Sequence, residues 1–113
     1  MSRKLLFCVF CLAVSASLPC AAAASKAKGK DAEEGKKLFA DHCSICHYTD
    51  STQTKVGPGL KGLFHRAKLA TGAKVTESNV RELIENGHGE MPTWKGVLSA
   101  DQTNDIIAYL KTL

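Results

Sequence analysis

The chain has no uninterrupted apolar run of the roughly 20 residues that a membrane-spanning helix needs; its longest, LLFCVFCLAVSASL at residues 5–18, ends sooner. No segment alternates apolar and polar residues as a half-buried strand does, and no internal repeat is visible. Beyond Cys20 the only cysteines are Cys43 and Cys46, and no second C-x-x-C or H-x-x-x-H pair accompanies them. That shortage excludes a four-ligand structural zinc site of the usual spacing. Aromatic residues make up 6% of the chain, so a domain of this size has a thin core and gains from a staple.

What is present begins with a basic start, MSRK, the apolar run, and then CAAAAS, which supplies the small residues of a cleavage site with Ala22 and Ala24 flanking Ala23. Residues 1–24 therefore read as a cleaved secretory signal, and the expected location is periplasmic or otherwise exported. Cys8, Cys11 and Cys20 leave with it. CVFC at 8–11 is part of the apolar signal core and is followed by Leu12. Pro19 stands where a lipidation site wants a small residue, so lipid anchoring at Cys20 is not expected.

Arg3 and Lys4 are lost as well, so 13 of the 15 basic residues remain against all 11 acidic ones and the formal charge falls from +4 to +2. Such a near-neutral balance excludes the basic, clustered surface that nucleic acid requires. A monomer with no membrane span in its mature chain is expected.

Along the mature chain, SKAKGK at 25–30 is a polar, lysine-rich lead with nothing to bury, expected to be flexible. A single domain follows over 31–113. DAEEGKKLFADH reads as its first helix, with Asp31 and Glu34 at capping-box spacing and Gly35, Leu38 and Phe39 on one face. YTDSTQTKVGPGL is a loop, and LKGLFHR a short helical turn carrying Leu60, Leu63 and Phe64.

TESNVRELIENG reads as a second helix, capped by Thr76 or Ser78, striped by Val80, Leu83 and Ile84, and ended by Gly87. HGEMPTWKGV is irregular. SADQTNDIIAYLKTL is a third helix, with Ser99 and Gln102 as a capping box and Ile106, Ile107, Tyr109 and Leu110 as its buried side. The fold class is all-α, three main helices plus short helical turns.

The first helix delivers the chain into CSICH, residues 43–47. C-x-x-C-H is the spacing of a c-type haem attachment site. Thioether bonds from Cys43 and Cys46 would fix the macrocycle's edge and hold His47 beneath the iron as an axial ligand. A thioredoxin-like dithiol is the competitor, but it wants its first thiol acidified at a helix N-terminus within a βαβ setting. Here the cysteines follow a helix and no strands surround them.

Methionine with histidine raises the potential and suits electron transfer, whereas an open sixth site permits ligand chemistry. The mature chain has one methionine, Met91, in GEMPTW. A lone methionine is ordinarily core packing, but beside a haem and just before Pro92 it is the expected sixth ligand. His88 is the competing donor. A small haem peroxidase or gas sensor would need that position vacant or labile. Trp94 would donate its indole N–H to a propionate or pack on the ring edge, and Tyr48 and Arg66 are weaker propionate candidates.

Taken in order, Gly35 and Phe39 with Tyr109, then CSICH, VGPGL and GEMP, resemble the small bacterial class I cytochromes c over nearly the whole mature chain. The resemblance implies the cytochrome c fold, with the first helix crossing the last at Gly35, Phe39 and Tyr109 around one covalently attached haem c. It implies that the Pro58 carbonyl accepts a hydrogen bond from His47's other ring nitrogen, orienting the ligand. The function implied is that of a soluble periplasmic one-electron carrier with His47/Met91 ligation, serving redox protein partners, and not an enzyme. Lys55, Lys61, Lys68, Lys74 and Lys95 either ring the exposed haem edge and steer acidic partners or are scattered for solubility. The loop from Ala67 to Val75 is short, so contacts made there by longer homologues do not carry over.

Overall fold

The computed structural model describes residues 28–113. The signal reading of 1–24, with Cys8, Cys11 and Cys20, lies outside them, as do residues 25–27. Helix α1 spans Lys28–His42, a single 3₁₀ turn Leu63–His65, α2 Glu77–Asn86 and α3 Ala100–Leu110. No strand occurs among the described residues, only isolated bridges such as Lys68 with Lys74. The expected all-α class is found.

Local chemistry sets most of these boundaries. Thr76, not Ser78, caps α2: its side chain accepts from the Asn79 N–H at 3.1 Å. Gly87, at φ 73°, ends that helix in a conformation that a Cβ disfavours. Ser99 and Gln102 form the full capping box of α3, with reciprocal bonds of 3.1 and 2.9 Å. Helix α1 differs from the sequence reading. It is already formed at Lys28, the first described residue, so Asp31 lies within the helix instead of capping it, favourably placed toward the positive end of the helix dipole.

The main packing contact is the crossing of α1 over α3. Gly35 makes it possible: a Cβ built there would lie 1.8 Å from the Asp105 carbonyl oxygen. Glycine in a helix costs about 0.5–1 kcal/mol relative to alanine, and at this position the close backbone approach requires it. One turn on, Phe39 meets Tyr109 edge to face, with ring centroids 5.6 Å apart. Ile106, Ile107 and Leu110 of α3 are buried; Tyr109 is half-buried on its Phe39 contact. Val80 and Ile84 of α2 close the core from the other side, while Leu83 is partly buried at its edge. Between the two sides the packing leaves a large space.

Candidate functional site

That space is a cavity of about 790 Å³, within the size range of cofactor pockets. Cys43, Cys46, His47, Pro58, Met91 and Trp94 all line it. Residues separated by up to 51 positions in sequence thus meet around one space.

The attachment motif is shaped by the end of α1. The Cys43 and Ser44 N–H groups both donate to the Phe39 carbonyl, at 2.8 and 3.0 Å, and Ser44 Oγ donates to the Ala40 carbonyl at 2.6 Å. The Cys46 and His47 N–H groups then both reach back to the Cys43 carbonyl, at 3.1 and 3.0 Å. This tight turn keeps both sulfurs on the cavity wall. Burial, and then the nearby charge of Cys46, push the Cys43 thiol up to about 11. A dithiol oxidoreductase needs the opposite shift, so the redox-disulfide competitor finds no support.

His47 is held from two sides. Its Nδ1 lies 2.8 Å from the Pro58 carbonyl oxygen. A carbonyl only accepts, so Nδ1 carries the proton and donates, which leaves Nε2 with a free lone pair for a metal. The ring packs on Gly57, where a Cβ would stand 2.4 Å from its Cε1 atom. The Gly57 N–H donates to the Cys46 carbonyl at 2.8 Å, and the Leu60 N–H to that of Tyr48 at 2.8 Å, so the loop is laced to the motif. Gly59 is equally constrained, since a Cβ there would come within 2.2 Å of the Ser51 carbonyl oxygen.

Met91 comes to the cavity from a different kind of support. His88 and Met91 exchange both backbone hydrogen bonds, at 3.1 and 3.0 Å, around Gly89 at φ 59°. Met91 is half-buried and packs against the core, whereas His88, the competing donor, is exposed at the rim. Trp94 is tied to the end of α2 through its backbone N–H, which donates to the Ile84 carbonyl at 3.2 Å. Its ring stands edge to face with His42, centroids 5.2 Å apart. His42, at the last position of α1, is thereby a second wall residue.

The two weaker propionate candidates separate. Arg66 lines the cavity, with Nη2 donating to the Gly59 and Lys61 carbonyls at 2.8 and 2.5 Å. Tyr48 does not; it is 39% exposed and lines a smaller hollow of about 330 Å³ that His47 also borders. The sequence reading missed the positional demand at Gly57. The signal was present in VGPGL, where two glycines flank the proline whose carbonyl must reach the imidazole.

An imidazole and a thioether lining an apolar pocket are a donor set suited to haem iron, and two thiols beside them suit attachment of the macrocycle. Among the described residues no group of three or more His, Cys, Asp or Glu side chains is placed to hold a bare metal ion. The residues present fit a covalently held haem.

Residues 30–110 match the family described as cytochrome C oxidase, cbb3-type, subunit III. The chain is similar to cytochrome c2 of Blastochloris viridis, at 34% identity with 96% of this chain and 92% of that protein covered. It is 36% identical to cytochrome c6 of Leptolyngbya boryana over 71% of this chain and 89% of that one. With cytochrome c of Gibberella zeae it shares 31% identity over 74% and 94% of the two chains.

Proposed function

The chain belongs to the small class I, monohaem c-type cytochromes, and on that premise we propose that it is a periplasmic one-electron carrier with His47 and Met91 as axial ligands. It is an electron carrier and not an enzyme. The haem, when bound, supplies a reversible ferric/ferrous couple. Cys43 and Cys46 hold it as thioethers, one haem per chain. His47 donates through Nε2 while Pro58 fixes the ring and raises its basicity by accepting the Nδ1 proton's hydrogen bond.

Met91 supplies the thioether that favours the reduced state. The buried walls, including Leu60, Leu63, Val80 and Ile106, exclude water and disfavour the extra charge of the oxidised state. Trp94 closes the pocket beside His42 and is the candidate partner for a propionate. Export is supported by the leader-like composition of residues 1–24, and among the described residues no helix is long and apolar enough to cross a membrane. Donor and acceptor are redox proteins, met by a monomer.

The observation that carries this reading is the 2.8 Å contact between His47 Nδ1 and the Pro58 carbonyl, inside a pocket also lined by both cysteines and Met91. Intact mass and redox titration of the exported protein test it. The expected result is a mature chain beginning at Ser25 with one haem that survives denaturing extraction, and a one-electron couple. A chain without covalent haem, or one whose reduced form binds carbon monoxide stoichiometrically, would overturn it. The matching family is described as an oxidase subunit; permanent co-purification with a larger complex would favour that setting over a free carrier.

A further inference from the structure

The lysine ring expected from the sequence includes Lys55 as a side chain free to steer partners, but the structure ties its ammonium group to the attachment motif. Its Nζ donates to the Ser44 carbonyl at 2.9 Å and lies 5.2 Å from the centroid of the Tyr48 ring. The backbone around it is tied to the same motif. The Lys55 N–H donates to the Gly57 carbonyl at 3.0 Å, and the Val56 and Gly57 N–H groups both donate to the Cys46 carbonyl. Ser44 is the first spacer between the two cysteines, so the ammonium group sits on the attachment turn itself. That turn is also where α1 ends, and helix carbonyls there present the negative end of the dipole. A cation held at this point is favourable for the helix, and the Tyr48 face adds a cation–π contact.

We propose that Lys55 is a positioning residue for the redox centre, clamping the Ser44 carbonyl between the two attaching cysteines and holding a positive charge there that raises the reduction potential. The proposal rests on the haem-carrier reading above. The sign follows from Coulomb's law: a fixed cation opposes the additional positive charge of the oxidised centre, so the reduced state is favoured. Because Lys55 is exposed apart from these contacts, salt screens part of the effect. The same six-residue stretch, 55–60, thus supplies both the acceptor that orients His47 and the charge that biases its iron.

The test is the midpoint potential of the exported, haem-loaded protein with Lys55→Met, Lys55→Gln and Lys55→Arg, at low and high salt, with the long-wavelength ferric band of sulfur ligation as a check on Met91. Met and Gln are expected to shift the midpoint downward, Arg to leave it near wild type, and the differences to shrink as salt rises, all with the band intact. If Lys55→Met does not accumulate, Lys55→Gln, which keeps a donor for Ser44, carries the comparison. An unchanged midpoint in Met and Gln, or an Arg variant that falls as far as Met, overturns the role of Lys55 while leaving the carrier reading intact. Wild-type protein without covalent haem would instead overturn the carrier reading, and this proposal with it.

Discussion

On the His47 wall of the cavity the functional side chain is itself bonded, Nδ1 to Pro58, and the loop behind it is tied to the motif by the Cys46 and Tyr48 carbonyls. On the Met91 wall only the backbone is held, through the exchange with His88, and the thioether meets the core by packing alone. The difference teaches which side gives way first. In the proposed ligation the imidazole would be positioned before iron arrives, whereas the methionine would be offered by a short turn whose geometry depends on two positive-φ glycines, Gly87 and Gly89. Ligand loss on heating or in denaturant is therefore expected on the Met91 side.

The most severe way to break this contrast is Gly57→Val. A Cβ at Gly57 stands 2.4 Å from the His47 ring, so the imidazole must leave its place and its Pro58 bond. The low-spin absorption bands are expected to be lost, or the haem-loaded protein not to accumulate.

Gly35→Ala attacks the frame shared by both walls by driving a methyl into the Asp105 carbonyl. Overpacking of this kind costs about 1–3 kcal/mol, which at about 4–8 °C per kcal/mol for a domain of this size is a clear fall in thermal midpoint. Bands that persist below that midpoint would show that the frame, not the ligation, was damaged.

Gly87→Ala sharpens the comparison. It places a Cβ at φ 73° and 2.4 Å from the Met91 carbonyl oxygen, so a cost of about 1 kcal/mol or somewhat more falls on the Met91 turn. Carbon monoxide binding to the reduced protein is expected to rise while His47 remains bound.

Pro58→Ala has the smallest expected effect. Any residue keeps the carbonyl that His47 uses, so the spectrum is expected to persist, with about 0.4–1 kcal/mol of stability lost through a freer unfolded chain. Chemical denaturation with an absorbance readout separates the two.

How much of this was legible in the sequence depends on what each residue answers to. The helix ends at Thr76, Gly87 and Ser99 are set by neighbours within four positions, and they were read correctly or narrowed to two choices. Asp31 lies inside α1 instead of capping it, because nothing in KGKD compels a break and an acid suits the early helix as well as a cap. The all-α class followed from helical apolar spacing, caps and the lack of strand alternation, and motif order grouped Cys43, Cys46, His47, Pro58, Met91 and Trp94, which line one cavity. By contrast, the tethering of Lys55 to the Ser44 carbonyl and the placement of Tyr48 at a second hollow depend on how the loop 48–60 folds over the motif. A chain of Ser, Thr, Gly and Pro residues carries little periodic signal from which to infer that.

The measurement that tests the account most directly is the optical spectrum of the exported protein, oxidised and reduced, beside that of Met91→Ala. The account predicts low-spin c-type bands with a weak long-wavelength ferric band that disappears in the variant. A high-spin ferric wild type, or a ferric spectrum that Met91→Ala leaves unchanged, would contradict it and move the sixth ligand to His88 or leave the site open.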